Sequence, residues 1–389
     1  MIVESLERRC LFSNLPTGFN DKVLATDIGS PTAIDVLPDG RALIAIKTGA
    51  LRLVVHNAVQ AKNVLSLPVD SAGERGLIGI THDPHFDTNH FIYIYHTVPA
   101  SSSTAAFNEI SRYTLNARVA DPSSRVDILA LNHLSAATNH NGGAMRFGSD
   151  DMLYVGVGEN AKSSNSQSLE NLLGKVLRID VSHIQPGDPI NDVAKLVPAG
   201  NPFATQTSGI NGAIYALGFR NPFTIAVQPV TGTIFVDDVG SKTWEEIDRL
   251  LPGRNYGWPR SEGFAANGTP AQLGPGVYAD PILSYNHHGG PAGGGNAIIG
   301  GAFYDPATAA AHPFPADYVG KYFYADYGHN YIRVFNPRHP GRLSFPDTST
   351  PFEMTTAAQP TGVAMASDGS LYYIAEANGG ELDELTYRA

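Results

Sequence analysis

The 389-residue chain is 42% apolar, enough for a large core, and only 16% charged, with 40 glycines and 27 prolines spread along its whole length. That distribution suits many short strands joined by tight turns better than it suits helices. A net charge of −11 with no Lys/Arg-rich run argues against nucleic-acid partners, which require cations to replace phosphate counterions, and no apolar run approaches the roughly 20 residues that span a bilayer.

The N-terminal stretch from Met1 to Asn14 carries Glu4, Glu7, Arg8 and Arg9 and has no apolar signal core. Either the protein is cytoplasmic or an export signal is missing from this version of the sequence. Cys10 is the only cysteine, so no internal disulfide can form; near a terminus it reads as incidental.

Downstream, one pattern recurs: an apolar segment, a turn with Asp, Gly or Pro, then a second alternating segment. It runs from Thr32 to Ile46, loosely from Gly76 to His96, from Gly143 to Val157, loosely from Pro222 to Asp237 and from Gly300 to Tyr324, and again from Gly362 to Ala375. Period-2 alternation around a short turn is hairpin grammar. Repeated multi-strand units of roughly 40–50 residues indicate propeller blades. The spacing here is larger and uneven, so the blades carry long insertions, clearest at 186–212 and 260–296. A β-helix would have shorter, more regular turns. The expected fold is therefore all-β: one domain over residues 1–389, a six-bladed β-propeller of four-stranded antiparallel blades with long top-face loops. The first ~15 residues are expected to form an arm or a strand closing the ring. Helix is expected to be scarce, with a short turn at Ser168–Leu173 and another at Thr243–Leu250.

Six polar segments interrupt this grammar. Glu74 and Arg75, in Gly73-Glu-Arg-Gly-Leu-Ile-Gly79, precede a buried strand where loops face the channel mouth; a surface ion pair is the plainer reading. Asn139-His140-Asn141-Gly142-Gly143 opens an inner strand, and its histidine can exchange a proton near neutral pH, unless it is only a satisfied turn residue. Gly156-Val-Gly158-Glu159-Asn160 lacks the following helix of a dinucleotide fingerprint, which leaves Glu159 and Asn160 as ligand-facing groups. Arg220 and Asn221, before Pro222, offer a planar donor fork for a carboxylate. The acids and glycines from Asp237 through Glu246 to Trp258 suit calcium, which takes oxygen ligands in flexible geometry, although the spacing is not that of an EF-hand. His287-His288 has no evident third ligand for zinc.

The motifs Glu74-Arg-Gly-Leu-Ile-Gly, His140-Asn-Gly-Gly, Leu173-Gly-Lys-Val-Leu-Arg-Ile-Asp, Gly218-Phe-Arg-Asn-Pro, Trp244-Glu-Glu-Ile and Asn255-Tyr-Gly-Trp-Pro, in this order, resemble the glucose/sorbosone dehydrogenase family from about Pro31 to Tyr387. The resemblance implies a six-bladed propeller binding pyrroloquinoline quinone (PQQ) and calcium, and oxidation of an aldose at its anomeric carbon to a lactone, with electrons passing to an external acceptor. Carried over by position, His140 is the catalytic base. Glu74, Arg75, Asn141, Glu159, Asn160, Arg220, Asn221 and His329 would surround the cofactor, Glu74 standing where family members carry a glutamine. The carbonyls of Gly240 and Ser241 would hold the calcium that polarises the quinone, and Glu246 with the Tyr256 carbonyl a second, structural calcium. The lysine and arginine that one soluble member of the family brings from its last two blades are absent: Tyr327-Gly-His-Asn330 and Gln359-Pro-Thr-Gly362 stand in their places. Periplasmic or secreted location follows from the resemblance. Two other readings keep the propeller: a calcium-dependent hydrolase or lyase using His140, and a non-catalytic sugar- or protein-binding propeller.

Overall fold

The computed structural model describes residues 15–265, 268–287, 297–306, 310–338, 341–343, 353–355 and 359–388. Its strands pair into six sheets. Each of the six sequence repeats forms the two innermost strands of one sheet: Pro31–Val36 with Ala42–Ile46, Leu77–His82 with Phe91–Val98, Met145–Phe147 with Leu153–Val157, Pro222–Val227 with Ile234–Asp238, Ile298–Phe303 with Tyr322–Asp326, and Pro360–Met365 with Leu371–Ala375. The six innermost strands pack side by side in chain order, and the sixth returns to the first. The fold is an all-β propeller around a central channel.

The sequence accounts for this layering. Second strands such as Ala42–Ile46, Leu153–Val157 and Leu371–Ala375 are buried at every position, because each lies between neighbouring sheets; their near-continuous apolar runs follow from burial on both faces. Between the second and third sheets the core is largely aliphatic (Ile110, Val155, Leu177), and between the fourth and fifth it is aromatic. There Phe235 meets Phe303 at 4.7 Å and Tyr322 at 5.2 Å. Each such side chain contributes about 1.5–3 kcal/mol by burial. Near the axis the backbones crowd: a Cβ on Gly79 would lie 2.0 Å from the Gly143 carbonyl oxygen.

Phe19–Ala25 pairs antiparallel with Glu381–Tyr387, as the outer strand of the sheet formed by the end of the chain. Phe19 anchors it, packing edge-on against Phe314 at 4.8 Å and Tyr387 at 5.1 Å.

Three expectations need correction. The sheets are not uniformly four-stranded and antiparallel: they have four to six strands, and Arg254–Asn255 and Gly341–Leu343 join edges in parallel. The long connections supply these extra strands, since a returning segment satisfies its backbone on an open edge. Thr243–Leu250 is not a helical turn but the strand Trp244–Arg249. Glu246 and Asp248 share one face there and Glu245 and Ile247 the other, a period of two that its buried acids disguise. Ser168–Leu173 has no helix either; a short 3-10 turn lies just before it at Ser163–Gln167. Residues 1–14, with Cys10, lie outside the described residues. Among the described residues no helix is long and apolar enough to cross a membrane.

Candidate active site at the mouth of the channel

The loop before the third innermost strand is held from several sides. The His140 backbone sits in the left-handed region, at φ +57°. Its N–H donates to Glu74 Oε2 at 2.7 Å, and its carbonyl accepts the Asn160 N–H at 3.1 Å. Gly158 crosses behind so closely that a Cβ there would stand 2.1 Å from the His140 carbonyl oxygen, hence a glycine. The His140 ring meets Glu159 Oε1 through Nδ1 at 2.5 Å. Both side chains are buried. A carboxylate on Nδ1 fixes the tautomer with the proton there and leaves Nε2 as the basic nitrogen.

Asn221 ties this pair to the next sheet. Its Oδ1 accepts the Gly142 N–H at 2.9 Å, its Nδ2 reaches Glu74 Oε2 at 3.5 Å, and its own N–H donates to Asp238 Oδ1 at 2.6 Å. Burial pushes the Asp238 carboxyl up to about 7, against the pull of the Arg220 and Asn221 amides. The Arg220 guanidinium donates to the carbonyls of Val239 at 2.9 Å and Gly240 at 2.6 Å, and its own carbonyl accepts the Glu159 N–H at 2.9 Å.

Beside this network lies a cavity of about 360 Å³, the size of a small-molecule site. Its walls include Thr32, Lys47, Glu74, Asn221, Tyr327, Thr361 and Glu376. Of the residues read from sequence, Glu74 and Asn221 line it. His140, Glu159 and Arg220 stand behind those two through the bonds above.

The others have internal partners. Arg75 pairs with Asp70 at 2.6 Å and donates to the carbonyls of Ser135 and Ala137. Asn160 accepts the Ser135 N–H and donates to Ala137. The Asn141 carbonyl accepts the Tyr95 hydroxyl at 2.8 Å. His329 donates its backbone N–H to Asp326 at 2.8 Å. None of these four side chains lines the cavity.

Lys47, Tyr327 and Glu376 escaped the sequence reading as cavity residues, yet the repeat contains their signal. Each is the residue immediately after the second strand of its hairpin, as is Val239, which also lines the cavity.

Gly240 and Ser241 begin a turn wrapped on Glu262, whose Oε1 accepts four successive amides from Ser241 to Trp244. Those amides, overcoming burial, hold its carboxyl below the usual range. Glu246 is buried beside Asp248, and burial with the neighbouring acids drives both carboxyls well above the usual range. Asp248 is fully buried, and neither of its oxygens has a hydrogen-bond partner among the described residues. Tyr256 is buried, its N–H donating to Leu217. Among the described residues no three His, Cys, Asp or Glu side chains gather in a metal-holding group; an ion here would draw on backbone carbonyls as well. The His287 ring contacts Glu245 at 2.5 Å. His288 and the loop to Asn296 lie outside the described residues, and the zinc reading with them.

Behind the His140–Glu159 pair, Lys175 is fully buried and donates to the carbonyls of Asn165 and Leu173, both at 2.6 Å. Asn165 in turn donates to the Glu159 carbonyl at 3.1 Å. Burial alone lowers the Lys175 ammonium to about 7. A lysine depressed in the folded state contributes stability that is present above its ordinary value and lost as pH falls through the folded one. Relative to Lys175→Met, the natural protein should therefore gain on the order of 2 kcal/mol between pH 7 and pH 9. Urea denaturation of both proteins at the two pH values checks this; a pH-independent difference refutes the buried, depressed ammonium.

Comparison with known proteins places this architecture. The chain is 31% identical to the HIPL2 protein of Arabidopsis thaliana over 315 residues, covering 71% of this chain and 43% of that protein. It is 28% identical to quinoprotein glucose dehydrogenase B of Acinetobacter calcoaceticus over 273 residues, covering 63% of this chain and 53% of the other. The chain thus spans about half the length of these curated relatives, or less. The soluble aldose sugar dehydrogenase of Escherichia coli in its apo form superposes with a TM-score of 0.74 at 23% identity, over 95% of this chain and all of the other. The PQQ-bound aldose sugar dehydrogenase of Streptomyces coelicolor does so with a TM-score of 0.68 at 22% identity, over 96% of this chain and all of the other. These likenesses support the fold. The sequence matches the glucose/sorbosone dehydrogenase family across residues 28–383, and the chain belongs to that family.

Proposed function

We propose that this protein is a PQQ-dependent aldose dehydrogenase that oxidises a sugar at its anomeric carbon to the lactone. The observation that carries the reading is the buried His140–Glu159 pair, joined through Glu74 and Asn221 to the mouth cavity. On this reading we take the six sheets as six blades of one propeller domain. The sugar and the final electron acceptor are small molecules reaching the mouth, and the family points to work outside the cytoplasm.

The residues present fit an anionic quinone. Lys47 and Asn221 line the cavity, with the Arg220 guanidinium just behind. Glu74 and Glu376, the acids in the walls, already accept donors from His140 and Tyr327. Calcium would be held by the Gly240 and Ser241 carbonyls, and a second ion by Glu246, Asp248 and the Tyr256 carbonyl, where an unpartnered buried carboxylate calls for a cation. Bound PQQ supplies the two-electron acceptor for the hydride leaving the anomeric carbon.

The protein's part is proton handling and positioning. His140 Nε2 takes the anomeric hydroxyl proton, and Glu159 on Nδ1 stabilises the imidazolium that forms. Glu74 holds the His140 backbone so that the ring keeps its aim, while Asn221 holds Gly142 and Glu74 together. Purified protein reconstituted with PQQ and calcium should acquire cofactor absorbance and reduce a redox dye with aldoses. Neither absorbance nor turnover with any aldose would overturn the reading.

A further inference from the structure

We infer that Lys47 is the carboxylate-binding cation of the mouth cavity, taking one carboxylate of the anionic cofactor; this rests on the reading above. Lys47 directly follows the strand Ala42–Ile46 and lines the cavity. Its root is fixed, because its N–H donates to the Ser30 carbonyl at 2.9 Å and its carbonyl accepts the Leu77 N–H at 3.2 Å.

The other charged groups of the mouth are engaged. Glu74 accepts from His140, Glu376 from Tyr327 at 2.9 Å, and Arg220 is spread over two carbonyls. Thr32 donates to the Leu77 carbonyl at 2.7 Å. Lys47 has no acidic partner among the described residues, so a multiply anionic ligand meets one uncommitted cation there.

Its place in the ring adds the second argument. From the last two sheets the cavity wall receives Tyr327, Thr361 and Glu376, none of which carries a positive charge. The first innermost strand packs directly against the last. The compensating charge therefore enters from the neighbouring sheet across the ring closure. An anion in a partly buried cleft needs such a partner, because desolvation is otherwise uncompensated.

The test is equilibrium PQQ binding without substrate, read by tryptophan quenching and cofactor absorbance, on the natural protein, Lys47→Met and Lys47→Arg. Lys47→Met should bind PQQ about tenfold more weakly or worse, the loss of one charge-assisted bond, and with a shallower dependence on salt. Lys47→Arg should recover most of the affinity. The uncharged trimethyl ester of PQQ should bind the natural protein and Lys47→Met equally. Lys47→Met binding PQQ within about twofold of the natural protein, or losing the ester as much as the acid, overturns the inference. PQQ binding absent already in the natural protein overturns the parent reading and this inference together.

Discussion

His140→Ala is expected to lower kcat by about 10²–10⁴-fold, the range for removing a general base, while PQQ still binds. The separation of the two effects follows from the structure. The His140 side chain bonds Glu159, whereas Glu74 and Asn221 in the cavity wall are held by the backbone N–H groups of residues 140 and 142, which the alanine variant retains, and Lys47 stands on another sheet. The placement of His140 is also over-determined: a non-glycine residue at φ +57° persists only when its surroundings hold it there, and here Glu74 and Asn160 clamp its N–H and carbonyl. Glu159→Gln should cost less, about 10–100-fold, because the amide can still orient Nδ1 but cannot stabilise the charged ring. Steady-state rates beside a binding titration decide the matter. A His140→Ala enzyme turning over near the natural rate refutes the base, and one that no longer binds PQQ makes the residue a structural one.

Removing calcium should have the second largest effect. Asp248 is fully buried with both oxygens unpartnered among the described residues, and Glu246 is buried beside it. Left without a cation, these two carboxyls are held protonated by burial and by each other, and a bound cation lets them ionise. Calcium at about a thousandfold excess over its dissociation constant would contribute roughly 4 kcal/mol, and a protein of this size should then melt several degrees higher than after chelation. Asp248→Asn sharpens the test. It should melt at or above the natural protein when both are chelated, and gain less from calcium. A melting temperature unmoved by calcium in the natural protein would remove the ion from this cluster.

The architecture was legible because its signal repeats. Six copies of one hairpin pattern stood in the sequence, and all six are the innermost hairpins of the sheets. Blade edges were not legible: Arg254–Asn255 and Gly341–Leu343 join in parallel because an open edge lies within reach, which no local pattern encodes. Thr243–Leu250, expected as a short helical turn, is the strand Trp244–Arg249, in which Glu245 is fully buried and takes the amides of Gly240 and Ile298. Of the mouth residues carried over by resemblance, Glu74 and Asn221 line the cavity, while Arg75, Asn141 and Asn160 make bonds within the neighbouring loops. A polar residue beside a functional loop has two possible directions, and only the backbone path chooses between them. Lys47 and Glu376 belong to no motif; aligning the six hairpins in register, with attention to the residue after the second strand, would have brought them forward.

The pairing of Phe19–Ala25 with Glu381–Tyr387 bears on how the protein is made. A ribosome adds about 5–20 residues per second, so this strand waits tens of seconds while nearly the whole chain is synthesised before its partner emerges. Through that interval it is an unpaired edge, the kind of segment that templates association with other chains. Its centre carries Asp21 and Lys22 rather than a run of aliphatic residues, and adjacent charges discourage such pairing. On closure Asp21 accepts the Tyr373 hydroxyl at 2.8 Å, so the group that guards the nascent strand becomes part of the seam.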